Sequence, residues 1–222
     1  MNVNSLIEDK FINDHPLSSY DRKTRDRLRR QEDILRAAER IFSLKGYHDA
    51  TMFDIAKEAQ YAIGTVYLYF KDKDALYLSL LEQKFNDLLS ILREETAKAQ
   101  SAKEKIEIFI YEKLSFFERN QDFFRIFISE RIKPFGVKAG KHQKPPMIVK
   151  HKEFVTDLIK LAQEQRLIRT DFPARQIADV LISVFMSVVF NWLKEEPKNS
   201  KNLSHMSGFI FDIFLNGARK NK

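Results

Sequence analysis

The chain has 222 residues, no cysteine, and Lys+Arg 38 against Asp+Glu 31, a net charge of +7. Disulfides, thiolate metal sites and a cysteine nucleophile are excluded, and with 6 Gly and 6 Pro so are a turn-rich all-β fold and a disordered chain. Charged residues at 31% and hydrophobic residues at 44% fit one large globular domain or two small ones, and 19 Phe require a core to bury them.

Met1 to Tyr20 mixes Glu8, Asp9 and Lys10 with scattered apolar residues, and no apolar run follows a basic start. Helical periodicity begins at Arg22, and no window alternates like a strand for long. The first predicted helix covers Arg22 to Lys45. Ile34, Ala37, Ala38, Ile41 and Phe42 share its inner face, and Gly46 stands where a helix-ending glycine belongs. Thr51-Met52-Phe53-Asp54 is a capping box that opens a second helix, with Ile55, Ala56 and Ala59 inward. A short third helix covers Ile63 to Phe70. A long fourth follows Asp72, striped by Leu76, Leu80, Leu81, Phe85, Leu88, Leu89 and Leu92.

Ser101-Ala102-Lys103-Glu104 is a second capping box and opens the fifth helix, to about Glu118. Asn120 caps a sixth, to about Arg131. Lys133 to Pro146 is a loop holding Pro134, Gly136, Gly140, Pro145 and Pro146. The seventh helix covers Met147 to Gln165, the eighth Ala174 to Glu195 and the ninth Ser204 to Ala218. The pattern predicts an all-α fold in three parts: an arm over 1–21, a domain over 22–80 and a second domain over 81–222. A long fourth helix shared by the two domains would couple them.

The most apolar stretch, Val180 to Leu193, is interrupted by Ser183, Ser187 and Asn191. It is shorter than the ~20 residues that cross a bilayer. The expectation is therefore a soluble, cytoplasmic protein with no membrane partner.

Only Gln60 to Ala62 separate the second and third helices, which with the longer first helix is the layout of a helix-turn-helix. At 100° per residue Val66 and Phe70 point to the core. Gly64, Thr65 and Leu68 then point away. Thr65, Tyr67 and Tyr69 carry hydroxyls suited to phosphate oxygens. Gly64 sacrifices about 1 kcal/mol of helix propensity relative to alanine, which makes sense where a backbone must approach DNA. Arg22, Lys23, Arg25, Arg27, Arg29 and Arg30 form a basic cluster suited to counterion release.

Several runs fall in one register: Ile34-Leu35-Arg36-Ala37-Ala38, Phe42, Gly46-Tyr47, Thr51, Ile55 to Ala59, and Gly64-Thr65-Val66-Tyr67-Leu68-Tyr69-Phe70-Lys71-Asp72-Lys73-Asp74-Ala75-Leu76. Together they resemble the tetracycline-repressor-like (TetR) regulators, over about Arg29 to Leu81. The resemblance implies a homodimer, each subunit carrying an N-terminal helix-turn-helix domain and a helical-bundle domain for ligand binding and dimerisation. It implies that Thr51 caps the second helix against a phosphate, and that Tyr61, Ala62, Ile63, Gly64 and Thr65 enter the major groove. Tyr67, Tyr69 and Lys73 would hold phosphates. The turn departs from the family pattern. Gln60 replaces the usual glycine, Tyr61 a small aliphatic and Ala62 the usual serine cap, while Ile63 stands where a polar or basic residue is common.

Beyond residue 81 the resemblance is in length and helix number. Phe109, Phe116, Phe117, Phe123, Phe124 and Phe127 cluster on the fifth and sixth helices. They are either a solid core or the wall of an apolar ligand pocket, with Phe117, Phe124 and Phe127 as lining candidates. Lys133, Lys138, Lys141, His142, Lys144, Lys150, His151 and Lys152 form either a solvated face or the mouth for an anionic head group. A small hydrophobic effector, an acyl-coenzyme A or a lipophilic drug, would suit such a site. Ser183, Ser187 and Asn191 make a small-residue stripe, and Ile210, Phe211 and Phe214 a matching apolar face. In the family the last two helices form the dimer's four-helix bundle, so Ser183, Ser187, Asn191, Ile210 and Phe214 are the candidate dimer residues. Burial within one subunit is the alternative.

The five histidines (His15, His48, His142, His151, His205) lack metal-ligand spacing. No phosphate-binding glycine loop or nucleophile elbow occurs, and no cofactor is expected. The expected function is a ligand-responsive transcriptional regulator, most simply a repressor on a near-palindromic double-stranded operator, and not an enzyme. A helical enzyme or lipid carrier with an apolar active-site pocket is the competing reading.

Overall fold

The computed structural model describes residues 21–129, 146–194 and 202–218. Nearly the whole predicted arm therefore lies outside the described residues. So do the loop from Lys133 to Pro145, with Lys133, Lys138, Lys141, His142 and Lys144, and the side chain of Phe127. Among the described residues the chain is helical and without strands. Its contacts divide it into two compact units, Met1–Asn86 and Asp87–Lys222. The division falls inside a long helix, further along it than the expected Leu80.

The first unit opens with α1 (Arg22–Asp49), α2 (Met52–Glu58) and α3 (Ile63–Tyr69), and ends within α4 (Lys73–Ala97). Asp21 caps α1, its carboxylate accepting from the Thr24 amide at 2.7 Å. Gly46 breaks α1 with φ 76° and ψ 171°, a backbone that a Cβ would disfavour. The predicted inner face of α1 is buried throughout, from Ile34 to Phe42. It meets Ile55, Ala56, Val66, Phe70, Leu76 and Tyr77 in a single core. Phe42, Tyr47 and Tyr77 pack ring to ring with centroids 5.3–5.5 Å apart.

The turn between α2 and α3 is closed by two backbone bonds, Gln60 N to Lys57 O at 3.2 Å and Tyr61 N to Ala56 O at 3.0 Å. This is the Schellman arrangement, which places its middle residue in the left-handed region. Gln60 has φ 59°. A residue with a Cβ gives up roughly 1–2 kcal/mol there. Gln60→Gly should therefore stabilise the N-terminal unit by about 1 kcal/mol, after the extra freedom glycine gives the unfolded chain, and so raise its urea midpoint. An unchanged or lowered midpoint would contradict the strain argument.

The second unit takes in the rest of α4, then α5 (Ala102–Arg119), α6 (Gln121–Ser129), α7 (Pro146–Glu164), α8 (Ala174–Lys194), a 3-10 turn (Leu203–Met206) and α9 (Ser207–Ala218). The predicted ninth helix thus begins as a 3-10 turn. The Ser101–Glu104 capping box is present, with Glu104 N on Ser101 Oγ at 3.2 Å and Ser101 N on Glu104 Oε2 at 3.3 Å. Asn120 turns back: its side-chain amide donates to the Phe116 carbonyl at 2.8 Å and finishes α5.

Helix α5 is central, packed against α6, α7, α8 and α9. Phe109, Phe116, Phe117, Phe123 and Phe124 are all buried around it. Phe117 and Phe124 stack with centroids 4.1 Å apart, and Phe185 of α8 meets Phe117 edge-on at 5.5 Å.

Helix α8 is long and apolar enough to cross a membrane by length and composition alone. In the fold it buries Ile177, Leu181, Phe185, Val189 and Trp192 against its neighbours, as a core helix does. Ser183, Ser187 and Asn191 lie on its exposed face, with Val180, Met186 and Phe190 beside them. The expectation for α9 is corrected. Ile210 and Phe214 are buried within their own chain, at 0% and 3% exposure, because α9 packs that face on α5 and α8. Its exposed apolar residues are Phe209 and Ile213 instead.

Candidate nucleic-acid interface

The local chemistry of α2 and α3 sets their ends. Thr51 Oγ1 accepts from the Asp54 amide at 3.1 Å and donates to Asp54 Oδ2 at 2.8 Å, while the Thr51 amide donates to the same carboxylate at 3.1 Å. Lys45 Nζ completes the cluster at 2.7 Å from Asp54 Oδ1. Hydrogen bonds from Lys45, and then from Thr51, hold the Asp54 carboxyl down to about 2. The cap therefore stays ionised at neutral pH, and its contribution is lost only as the pH falls through that value. Thr51 caps α2 as expected, and both of its donors are spent on Asp54.

At the start of α3, Ala62 provides no side-chain cap. Val66 is fully buried and Phe70 nearly so, so the opposite face of α3 is outward. Ala62, Ile63, Gly64, Tyr67 and Leu68 are exposed there, and Thr65 and Tyr69 are half-buried. No atom lies within 4 Å of where a Cβ on Gly64 would stand, so this glycine is not required by packing. The start of α1 meets the end of α3 along a groove of about 650 Å³. It is lined by Arg22, Lys23, Asp26, Arg27 and Arg30 on one side and by Leu68 and Tyr69 on the other. Four cations beside a tyrosine ring form a surface suited to a phosphate backbone. Arg25 and Arg29 are exposed but stand outside that lining.

Two expected contacts are corrected. Lys73 does not reach outward. Its ammonium donates to the carbonyls of Tyr47 at 2.7 Å, His48 at 3.1 Å and Ala50 at 2.8 Å, and sits 4.5 Å from the Tyr47 ring centroid. An ammonium has three donors, and all three are used. Lys73 therefore ties the segment after the Gly46 break of α1 to the start of α4. Tyr61 likewise turns inward, its hydroxyl donating to Asp33 Oδ2 of α1 at 3.0 Å. Burial, and then that bond, raise its pKa.

The sequence reading also missed the contact between the Tyr47 hydroxyl and Asp74. The two residues are 27 apart in the chain, and no local pattern links them. Among the described residues no three His, Asp or Glu side chains converge as a metal site.

A three-helix unit with a capped second helix, a glycine-bearing third helix and a basic groove beside it defines the helix-turn-helix class of DNA-binding proteins. Residues 34–80 match the model of the bacterial regulatory proteins of the tetR family. The chain is 36% identical over 77 residues to the fatty acid metabolism regulator protein of Bacillus subtilis, a match covering 35% of this chain and 40% of that one. It is 26% identical over 200 residues to the HTH-type transcriptional repressor BepR of Brucella suis, covering 85% and 87% of the two chains. In fold it is similar to the transcriptional regulator FadR of Bacillus subtilis, solved in complex with stearoyl-CoA. The TM-score is 0.70 at 19% identity, over 85% of this chain and 99% of that one. The match to the fatty acid metabolism regulator thus spans about two fifths of that relative's length. Residues 34–80 thus resemble the DNA-binding part of the tetR family of bacterial regulatory proteins, and the fold of the whole chain is similar to that of solved regulators.

Proposed function

We propose that the protein is a cytoplasmic, ligand-responsive repressor that binds a near-palindromic operator as a homodimer and leaves it when a small, mostly apolar effector binds the second unit. The observation that carries this reading is the outward face of α3, open around Gly64, next to the cationic groove of α1. On this reading Ile63, Gly64 and Thr65 meet base edges, with Ile63 against a thymine methyl. Tyr67 and Tyr69 hold phosphates, and Arg22, Lys23, Arg27 and Arg30 neutralise the backbone alongside. Two recognition helices would sit about 34–36 Å apart, one turn of B-DNA. Effector and operator then oppose each other through a coupling of about 1–3 kcal/mol, reciprocal by linkage. Helix α4, which runs through both units, is the element they share.

Selection from a random duplex library tests the DNA reading. The bound pool should converge on a near-palindrome with half-sites one helical turn apart. Against that operator Tyr67→Phe should weaken binding to all sequences about equally, by roughly 1 kcal/mol for one lost hydrogen bond to a charged oxygen. A pool that stays random would sink the proposal, as would a Tyr67 variant that changes sequence preference.

For assembly, the reading places Ser183, Ser187 and Asn191 of α8, with the exposed Phe190, Phe209 and Ile213, in an isologous contact. Ser187→Arg would set a cation into that seam at its centre. Sedimentation should then give monomers whose fold is intact by circular dichroism but whose operator affinity collapses, since the two half-sites no longer bind together. A dimer that survives the substitution moves the interface elsewhere.

A relative in the fold comparison was solved with stearoyl-CoA, which supports an effector of fatty character here. The rival reading, a helical enzyme or lipid carrier, predicts no sequence-specific DNA binding.

A further inference from the structure

Lys113 lies on the inner side of α5, the helix at the centre of the second unit, and is 2% exposed. Its ammonium stands 4.1 Å from the centroid of the Phe185 ring on α8 and 5.3 Å from that of Phe109, one turn back on α5. His151 of α7, also buried, approaches the Phe109 ring at 6.2 Å, and Phe154 lies at 6.3 Å from the same ring. The Lys113 ammonium thus faces two ring surfaces, those of Phe109 and Phe185. Burial alone lowers its pKa to about 7, and no acid offsets it. Burial, and then Lys113 itself, drive His151 well down, so it enters the cage neutral.

A lone amine in an aromatic cage is costly to the fold, because an ammonium taken from water needs an anion or a set of acceptors to compensate it. An aliphatic residue of equal length would pack there without that cost. Cation–π contacts supply part of the compensation but no counter-charge. The missing partner is a monoanion with two acceptor oxygens on an apolar body. The ring faces take the body and the ammonium takes the charge. A phosphate dianion would need further donors, and the carbonyl of an ester or thioester brings no charge.

We infer that Lys113 is the anchor of the effector site, and that the effector is an apolar monocarboxylate, a fatty or aryl acid, whose carboxylate pairs with the Lys113 ammonium inside the Phe109–Phe185 cage. This rests on the reading of the second unit as an effector domain and names the chemistry that domain selects.

The experiment uses the full-length protein, with binding by calorimetry and release by loss of operator affinity. The probes are decanoate, 4-phenylbutyrate, the methyl ester of each, and decanoyl-coenzyme A. The wild type should bind at least one free acid and release its operator, and the matching ester should bind at least about tenfold more weakly for want of the charged hydrogen bond. Whichever acid binds tells a fatty from an aryl effector. Lys113→Met should keep or raise the melting temperature, since an unpaired buried cation is replaced by a thioether of similar length. It should also lose affinity for the acid by at least about tenfold, with operator affinity in the absence of acid unchanged.

The inference is overturned if the ester or the coenzyme A thioester binds as tightly as the acid, if neither acid binds, or if Lys113→Met binds the acid like the wild type. The ester comparison needs no variant and stands even if Lys113→Met folds poorly. Operator affinity without acid separates the two failures. If it is strong while the acids have no effect, only this inference falls; if it is absent, the regulator reading falls as well.

Discussion

Phe124→Ala is expected to destabilise the second unit by about 3–5 kcal/mol, the range for truncating a buried aromatic ring. Phe124 is 1% exposed and touches rings on several sides. It stacks on Phe117 at 4.1 Å and meets Phe123 and Phe116 edge-on at 5.2 and 6.2 Å. Through Phe117 it is tied to Phe185 on α8, so its loss loosens three helices together. Neighbours held this closely relax only in part, and the hole remains a cavity. The measurement is a urea titration followed by tryptophan fluorescence, since the single tryptophan, Trp192, sits on α8 in the same unit. A loss below about 1 kcal/mol would mean that the ring borders space the protein already leaves open. Phe117 and Phe124 would then be effector lining, and the variant should show its deficit in induction instead.

Gly64→Glu should leave the protein folded and at least as stable as the wild type while removing operator binding. The position is exposed and open, and glutamate is the better helix former by several tenths of a kcal/mol. The folded unit therefore has no reason to resist it. On DNA the substitution puts a carboxylate and two methylenes between the α3 backbone and the groove, facing phosphates of like charge. Such a juxtaposition costs several kcal/mol, and even about 3 kcal/mol is more than a hundredfold in affinity. Gel-shift titration at two salt concentrations checks it. Operator affinity equal to that of the wild type would place α3 away from the groove and undo the DNA assignment at its centre.

The two variants test opposite kinds of residue. Phe124 matters because everything around it is filled, and Gly64 because nothing is. The third helix could be longer-lived with alanine at position 64 and a serine at position 62, where no side chain caps its start. Both changes would act on the exposed end of the helix that the proposed interface uses.

The sequence alone determined whatever depends on residues three or four apart. The capping boxes at Thr51–Asp54 and Ser101–Glu104, the positive φ of Gly46 and the buried stripe from Ile34 to Phe42 are local, and they formed where the residues indicated. So did the orientation of α3, because Val66 and Phe70 can share a face in only one way. Tertiary structure decided the destinations of long side chains and the partners of whole faces. Lys73 is 23–26 residues from the carbonyls it ties, and Tyr61 is 28 from Asp33. No local rule links such pairs. A lysine beside a DNA-binding helix has the same composition whether it points at a phosphate or back at a helix end.

The same holds for α9, whose two apolar faces are indistinguishable by period. Contact with α5 and α8 put Ile210 and Phe214 inside and left Phe209 and Ile213 out. Lys113 is the clearest case. Its sequence neighbours make it one more charged residue on an amphipathic helix, and only the packing of α7 and α8 around α5 closes it away from water.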